Sequence, residues 1–172
     1  MTPAELSRPV RLDTINDAGQ TVAITADPAE RAALAERFGL IALDRLAAEI
    51  GLERDGAVIM ARGRLLADVV QACIASDEPV PSTIDETFTL RFVPEDVLAQ
   101  SDEVELSETD CDTLPHDGKV IELGEAVAET LALALDPFPR SPAAEAALRE
   151  AGVVGEEEAK AASSPFAKLL KP

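Results

Sequence analysis

Through the first half of the chain apolar residues recur at every second position, and in the second half they shift to a spacing of three and four. That order predicts strands first and helices after. Val10 and Leu12 share a face within residues 8–15, and Val22 and Ile24 share one within 21–26. Between them Asn16-Asp17-Ala18-Gly19 offers residues that tolerate positive φ, so the two segments are expected to pair as a hairpin. Asp27-Pro28-Ala29-Glu30 predicts a helix start, with Asp27 as cap, Pro28 where no amide is needed and Glu30 closing a capping box. Leu34 and Phe38 lie one turn apart on its apolar face, and Gly39 supplies the stop.

From residue 42 the period is two. Leu46, Ala48, Ile50 and Leu52 point one way while Arg45, Glu49 and Glu53 point the other. After the turn Arg54-Asp55-Gly56 a second long strand puts Ile59, Ala61, Gly63, Leu65, Ala67 and Val69 on the core face and Arg62, Arg64 and Asp68 outward. Gly63 is expected to mark a bend or bulge there. Beyond Pro79-Val80-Pro81, Ile84, Phe88, Leu90 and Phe92 alternate with Asp85, Thr87, Thr89 and Arg91. The expected fold class is α+β, an antiparallel, strongly twisted or barrel-like β-meander of five strands with packed helices.

A short strand over 119–123, a helix over 124–135 and a brief helix near 143–151 complete a single domain expected to span residues 1–151. Residues 152–164 mix Gly, Ala, Ser and three consecutive Glu, too little apolar surface to offset the entropy of ordering. Phe166, Leu169 and Leu170 then form a compact apolar group. Residues 152–172 therefore read as a flexible acidic linker and an apolar tail, which either docks on the domain or serves as a partner-binding peptide.

Charge changes this picture most. The formal net charge is -18, and because phosphate binding is driven by Lys and Arg releasing counterions, generic coating of RNA is not expected. Residues 1–91 hold 15 acids and 9 bases, residues 92–172 hold 18 and 6. Between Arg91 and Lys119 no base occurs, while Glu103, Glu105 and Glu108 stand among nine acids. Such a run is expected to be a solvated loop, or a docking segment for a basic partner. No segment approaches the roughly 18 apolar residues of a membrane span, and the first residues carry neither a basic lead nor an apolar core, so a cytoplasmic protein is expected.

Candidate chemistry is sparse. The single histidine, His116, sits in a turn-like Leu114-Pro115-His116-Asp117-Gly118 and is expected to be exposed. Cys73 and Cys111 stand alone rather than as a close pair, so no metal site is expected, and in a reducing compartment both should be free thiols. No phosphate-binding glycine loop occurs, and the aromatic residues are five Phe spaced for a core, so no cofactor is expected. The local basic feature is Arg62 and Arg64 on one strand face, with Arg54 at the preceding turn and Arg91 on the next strand. They either meet phosphate or pair with Asp68, Asp85 or Glu49. Candidate partner-binding residues are Arg62, Arg64, Arg91, Glu103, Glu105, Glu108, Phe166 and Leu169.

Three blocks carry a family likeness. The first is Gly63-Arg64-Leu65, Ala67, Gln71-Ala72-Cys73, Glu78-Pro79-Val80 and Arg91-Phe92-Val93-Pro94. The second runs from Ile121-Glu122-Leu123-Gly124-Glu125 through Glu129, Leu131, Leu133 and Leu135 to Pro137-Phe138-Pro139-Arg140, and the third is Pro165-Phe166-Ala167-Lys168-Leu169. In this order they resemble the YceD family of large ribosomal RNA subunit accumulation proteins, in particular its alphaproteobacterial branch. Many relatives carry Cys-x-x-Cys in the first block, where this chain has Ser76 three residues after Cys73. The resemblance implies a non-enzymatic role in accumulation of large-subunit ribosomal RNA or ribosome assembly, with a ribosomal protein or pre-ribosomal RNA as partner, and neither DNA nor a membrane. Two rivals stand beside it: a small thiol-dependent enzyme using Cys111 and His116, and a protein–protein adaptor unrelated to ribosomes that binds through the Phe166 tail.

Overall fold

The computed structural model describes residues 5–16, 18–98 and 112–152. They fall into two compact units, one holding the residues up to Gln71 with Pro81–Pro137, the other Ala72–Val80 with the chain from Phe138.

The strands are β1 (Pro9–Arg11), β2 (Gln20–Thr25), β3 (Ala42–Asp55), β4 (Val58–Ala72), β5 (Pro79–Pro94), β6 (Asp112–His116) and β7 (Val120–Glu122). The helices are α1 (Pro28–Phe38), α2 (Glu95–Leu98), α3 (Leu123–Ala134) and α4 (Pro142–Glu150). The α+β class holds. Five strands form one sheet in the order β2-β3-β4-β5-β6, open rather than closed into a barrel, while β1 and β7 make a separate two-stranded sheet. The period-two reading is met along β3 and β4: Leu46 opposes Ala67, Ala48 opposes Leu65 and Ile50 opposes Gly63, all on the core face. Leu65, Val69 and Leu90 are buried and Phe88, partly buried, packs against the core cluster.

α1 begins as its residues dictate. Asp27 accepts from the Glu30 amide at 2.9 Å, the Glu30 carboxylate accepts from the Asp27 amide at 2.8 Å, and Gly39 takes the left-handed stop at φ 64°. Leu34 and Ala35 enter the core cluster, as do Val127, Ala128 and Leu131 of α3.

Four expectations are corrected. The amino-terminal hairpin does not form: β1 pairs with β7, placing Val10 opposite Ile121, while β2 pairs with β3. Alternation fixes which face is buried but not which neighbour lies alongside, and the 3-10 turn Leu12–Thr14 carries the chain away with Leu12 buried. The sheet is mixed rather than all-antiparallel, because β6 lies parallel to β5, with Leu90 opposite Asp112 and Phe92 opposite Leu114. Parallel neighbours need a crossover of roughly a dozen residues or more, and the acidic stretch between β5 and β6 supplies it. That stretch is structured at both ends, by α2 and β6; Glu103, Glu105, Glu108 and Cys111 lie outside the described residues. Finally, Gly63 makes no bulge in the β3–β4 ladder, where it stays in register with Ile50. A Cβ there would lie 2.6 Å from Phe88 Cζ and 2.9 Å from the Glu49 carbonyl, so Gly63 makes room for the Phe88 ring. The β-irregularity falls between Leu43 and Arg45.

Candidate functional site

Arg62 and Arg64 point outward from β4, with side chains 57% and 60% exposed. Neither is bare. Arg62 Nη1 reaches Glu53 Oε2 at 2.7 Å, and Arg64 grips Asp85 with two bonds, Nε at 2.6 Å and Nη2 at 2.5 Å. This fork holds the Asp85 carboxyl below its usual range and the Arg64 guanidinium above its own. Arg54 does not join the face: it donates to the carbonyls of Leu12 and Ile15. Arg91 stands half-buried on β5 opposite Thr113. Together with Thr21, Thr25, Ala47, Gly51 and Thr87, the paired arginines line a shallow trough of about 880 Å³. The local cation–anion pattern is the one expected of cross-strand pairs on an exposed sheet face.

The expected exposure of His116 is also corrected. The ring is 5% exposed. Nδ1 accepts from the Gly118 amide at 3.0 Å, which leaves the proton on Nε2 to be donated to the Ala57 carbonyl at 3.0 Å. Both ring nitrogens are therefore spent on backbone at the β3–β4 turn and the turn before β7. Nothing in residues 114–118 signals this, because Ala57 arrives from sixty residues upstream.

In the second unit the turn between β4 and β5 meets the start of α4. Cys73 is a free thiol with no exposed surface. Its Sγ accepts from the Ser141 amide at 3.3 Å, and Glu78 Oε2 accepts from both Ser141 Oγ at 2.6 Å and Ser76 Oγ at 3.1 Å. Ser141 in turn caps α4 by accepting from the Ala144 amide at 3.1 Å. Ser76 and the Ser141 amide draw the Cys73 thiol down to about 6, against the effect of burial. Ser76, in the place of a second cysteine, offers its one hydroxyl proton to either Glu78 or the Cys73 sulfur. Among the described residues no histidine or free carboxylate joins the thiol, and no three Cys, His, Asp or Glu side chains cluster as metal ligands would. The network fastens a turn to a helix cap.

A further concavity of about 470 Å³ runs between α1 and the first residues of β3, lined by Pro28, Ala32, Ala35, Leu40, Ile41 and Leu43 with Arg31, Glu36 and Asp44 at its rim. Ile41 is 53% exposed. Sequence reading passed over it, although Leu40-Ile41-Ala42-Leu43 breaks alternation and so must turn one large apolar residue outward. Phe166 and Leu169 lie outside the described residues.

With this geometry in place, the comparisons with known proteins narrow the reading. The model of the family described as large ribosomal RNA subunit accumulation protein YceD matches residues 61–171. The chain belongs to the YceD family. No curated protein and no solved structure matches it. The family's description links this YceD chain to accumulation of large-subunit ribosomal RNA. The matched span takes in Arg62, Arg64, Cys73, His116 and Ser141, and leaves out β1, β2, α1 and β3. No helix among the described residues is long and apolar enough to cross a membrane.

Proposed function

We propose that this YceD chain is a non-enzymatic, cytoplasmic factor of large-subunit assembly that holds a basic partner, a ribosomal protein, rather than bare RNA. The observation carrying this reading is the state of the sheet-face cations. Arg62 is closed on Glu53 and Arg64 on Asp85, within a chain of net charge -18. Phosphate contacts require cations that can replace counterions, and here those cations already face carboxylates. The surplus is negative, and the acidic run carrying Glu103, Glu105 and Glu108 adds to it. The thiol-enzyme alternative is weakened by His116, whose ring nitrogens serve backbone groups and cannot act as base toward Cys73 or Cys111.

The test is co-sedimentation with large-subunit precursors at several salt concentrations, with and without nuclease. Glu103→Gln, Glu105→Gln and Glu108→Gln combined are expected to weaken capture, and Arg62→Ala with Arg64→Ala to leave it intact. Loss in the arginine variant alone, together with abolition of wild-type capture by nuclease, establishes direct RNA recognition in place of this reading.

A further inference from the structure

β2 is an outermost strand of the five-stranded sheet, and its six residues, Gln20–Thr25, carry no charge, no proline and no break in register with β3. Edge strands are commonly blunted by lysine, proline, a bulge or a covering element, because their unpaired amides and carbonyls template another strand. In a chain of which 28% is charged, an uncharged edge of this length is an exception.

Which backbone groups are open follows from the ladder. The Ala26 amide donates to the Leu46 carbonyl at 3.0 Å, so the bonded pairs with β3 fall on Ile24, Val22 and Gln20, and the odd-numbered residues turn their amides and carbonyls to the outer side. The Thr25 carbonyl agrees, since it is open to accept from Arg8 Nη2 at 3.3 Å. The amides of Thr21, Ala23 and Thr25 and the carbonyls of Thr21 and Ala23 have no partner among the described residues. All three residues are exposed.

A charged segment finds little to meet here. Thr21, Ala23 and Thr25 lie opposite Gly51, Glu49 and Ala47 on β3, Glu49 lies in turn opposite Arg64, and Arg8 at the end of β2 is closed on Glu30. The strand that suits this edge is therefore itself uncharged and extended, as β2 of a second copy is. Set antiparallel about Ala23, two copies of β2 place Ala23 against its counterpart, Thr21 against Thr25 and Val22 against Ile24. The open amides and carbonyls then face one another, and threonine pairs and β-branched pairs are favourable cross-strand neighbours. A carbonyl has two lone pairs, so Thr25 can keep Arg8 and accept a strand amide as well.

From this geometry we infer that β2 joins β2 of a second copy across a two-fold axis, making one sheet continuous through both chains. Contact confined to a six-residue edge falls at the weak end of interface sizes, under roughly 1,200 Å², and each copy carries a net charge of -18. The dimer is therefore expected to form at roughly 10–100 µM chain. This pairing is independent of the basic-partner reading, and β2 precedes residues 61–171, the span matched by the family.

Sedimentation equilibrium of the intact chain, with amide hydrogen exchange at the same concentrations, tests it. The mass should rise from monomer toward dimer over that range, and more readily as salt screens the two negative chains. The Thr21, Ala23 and Thr25 amides should gain protection with it, while β3 protects those of Val22 and Ile24 throughout. Thr21→Lys with Thr25→Lys, opposite Gly51 and Ala47 on β3, should weaken association by about tenfold or more through like charges set across the axis. Thr21→Lys with Thr25→Glu should restore it, because in this register each lysine faces a glutamate of the other copy. If the double lysine variant lowers the thermal midpoint, Ala23→Pro carries the same test, since it removes an outward amide and none that faces β3. A chain that stays monomeric to about 1 mM overturns the inference. So does a dimer with no new protection at Thr21, Ala23 and Thr25, a dimer that neither the double lysine variant nor Ala23→Pro weakens, or a lysine–glutamate variant that stays monomeric where wild type pairs.

Discussion

The outer face of the sheet and the groove beside α1 handle charge in opposite ways. On the sheet each cation of the trough has found a carboxylate across the strands, Arg62 with Glu53 and Arg64 with Asp85. Beside α1, the Glu36 and Asp44 carboxylates bond to no cation among the described residues, and Ile41 stands half in water. The trough is the larger hollow, about 880 against 470 Å³, yet its lining is electrostatically satisfied and its shape follows from what lies beneath. Size alone does not nominate a site.

If the trough is a consequence of packing, it should respond to core changes far more than to its own arginines. Leu65→Ala, at a position with no exposed surface, is expected to cost about 2–5 kcal/mol in urea unfolding by lost transfer and cavity terms. Gly63→Ala is expected to cost about 1–3 kcal/mol by overpacking, since its Cβ would meet Phe88 Cζ at 2.6 Å. A neutral result at Gly63 means that the ring moves freely and that the trough is not held by it.

The next comparison is between pairs of different burial. Arg8 and Glu30 form a bidentate bridge at 2.7 and 2.9 Å, with side chains only 33% and 18% exposed. The Arg8 guanidinium, hydrogen-bonded to Glu30, holds its carboxyl below the usual carboxylate range. A folded-state value below the unfolded one gives stability that is present above about pH 4.5 and is lost as pH falls through the lowered value. Arg8→Ala should therefore destabilise by about 1 kcal/mol near neutrality, and the gap from wild type should close on acidification. A gap independent of pH would assign the loss to packing of the Arg8 stem.

Smaller still are the changes at solvent. Ile41→Ser and Glu36→Gln should shift the unfolding midpoint little, because surface substitutions usually stay within about 0.5 kcal/mol. Arg62→Ala should be nearly silent in both stability and partner capture, as expected of an exposed ion pair. A clear loss of capture in that variant would move the functional weight back to the sheet face.

Local and periodic features were legible in the amino-acid order: the capping box and glycine stop of α1, the facing of β3, β4 and β5, the helix of α3. Each depends on neighbours a few residues apart, where propensity, alternation and capping act directly. The three ordered blocks also carried the YceD likeness. Tertiary structure alone decided which strand lies beside which, because alternation is blind to partners. It sent β1 to β7, laid β6 parallel to β5, and ended the β2–β3 ladder at Ala47. It also buried His116 on a carbonyl from Ala57 and closed Arg62 and Arg64 on Glu53 and Asp85. Those outcomes depend on contacts between residues far apart along the chain, which only the folded arrangement brings within hydrogen-bonding distance.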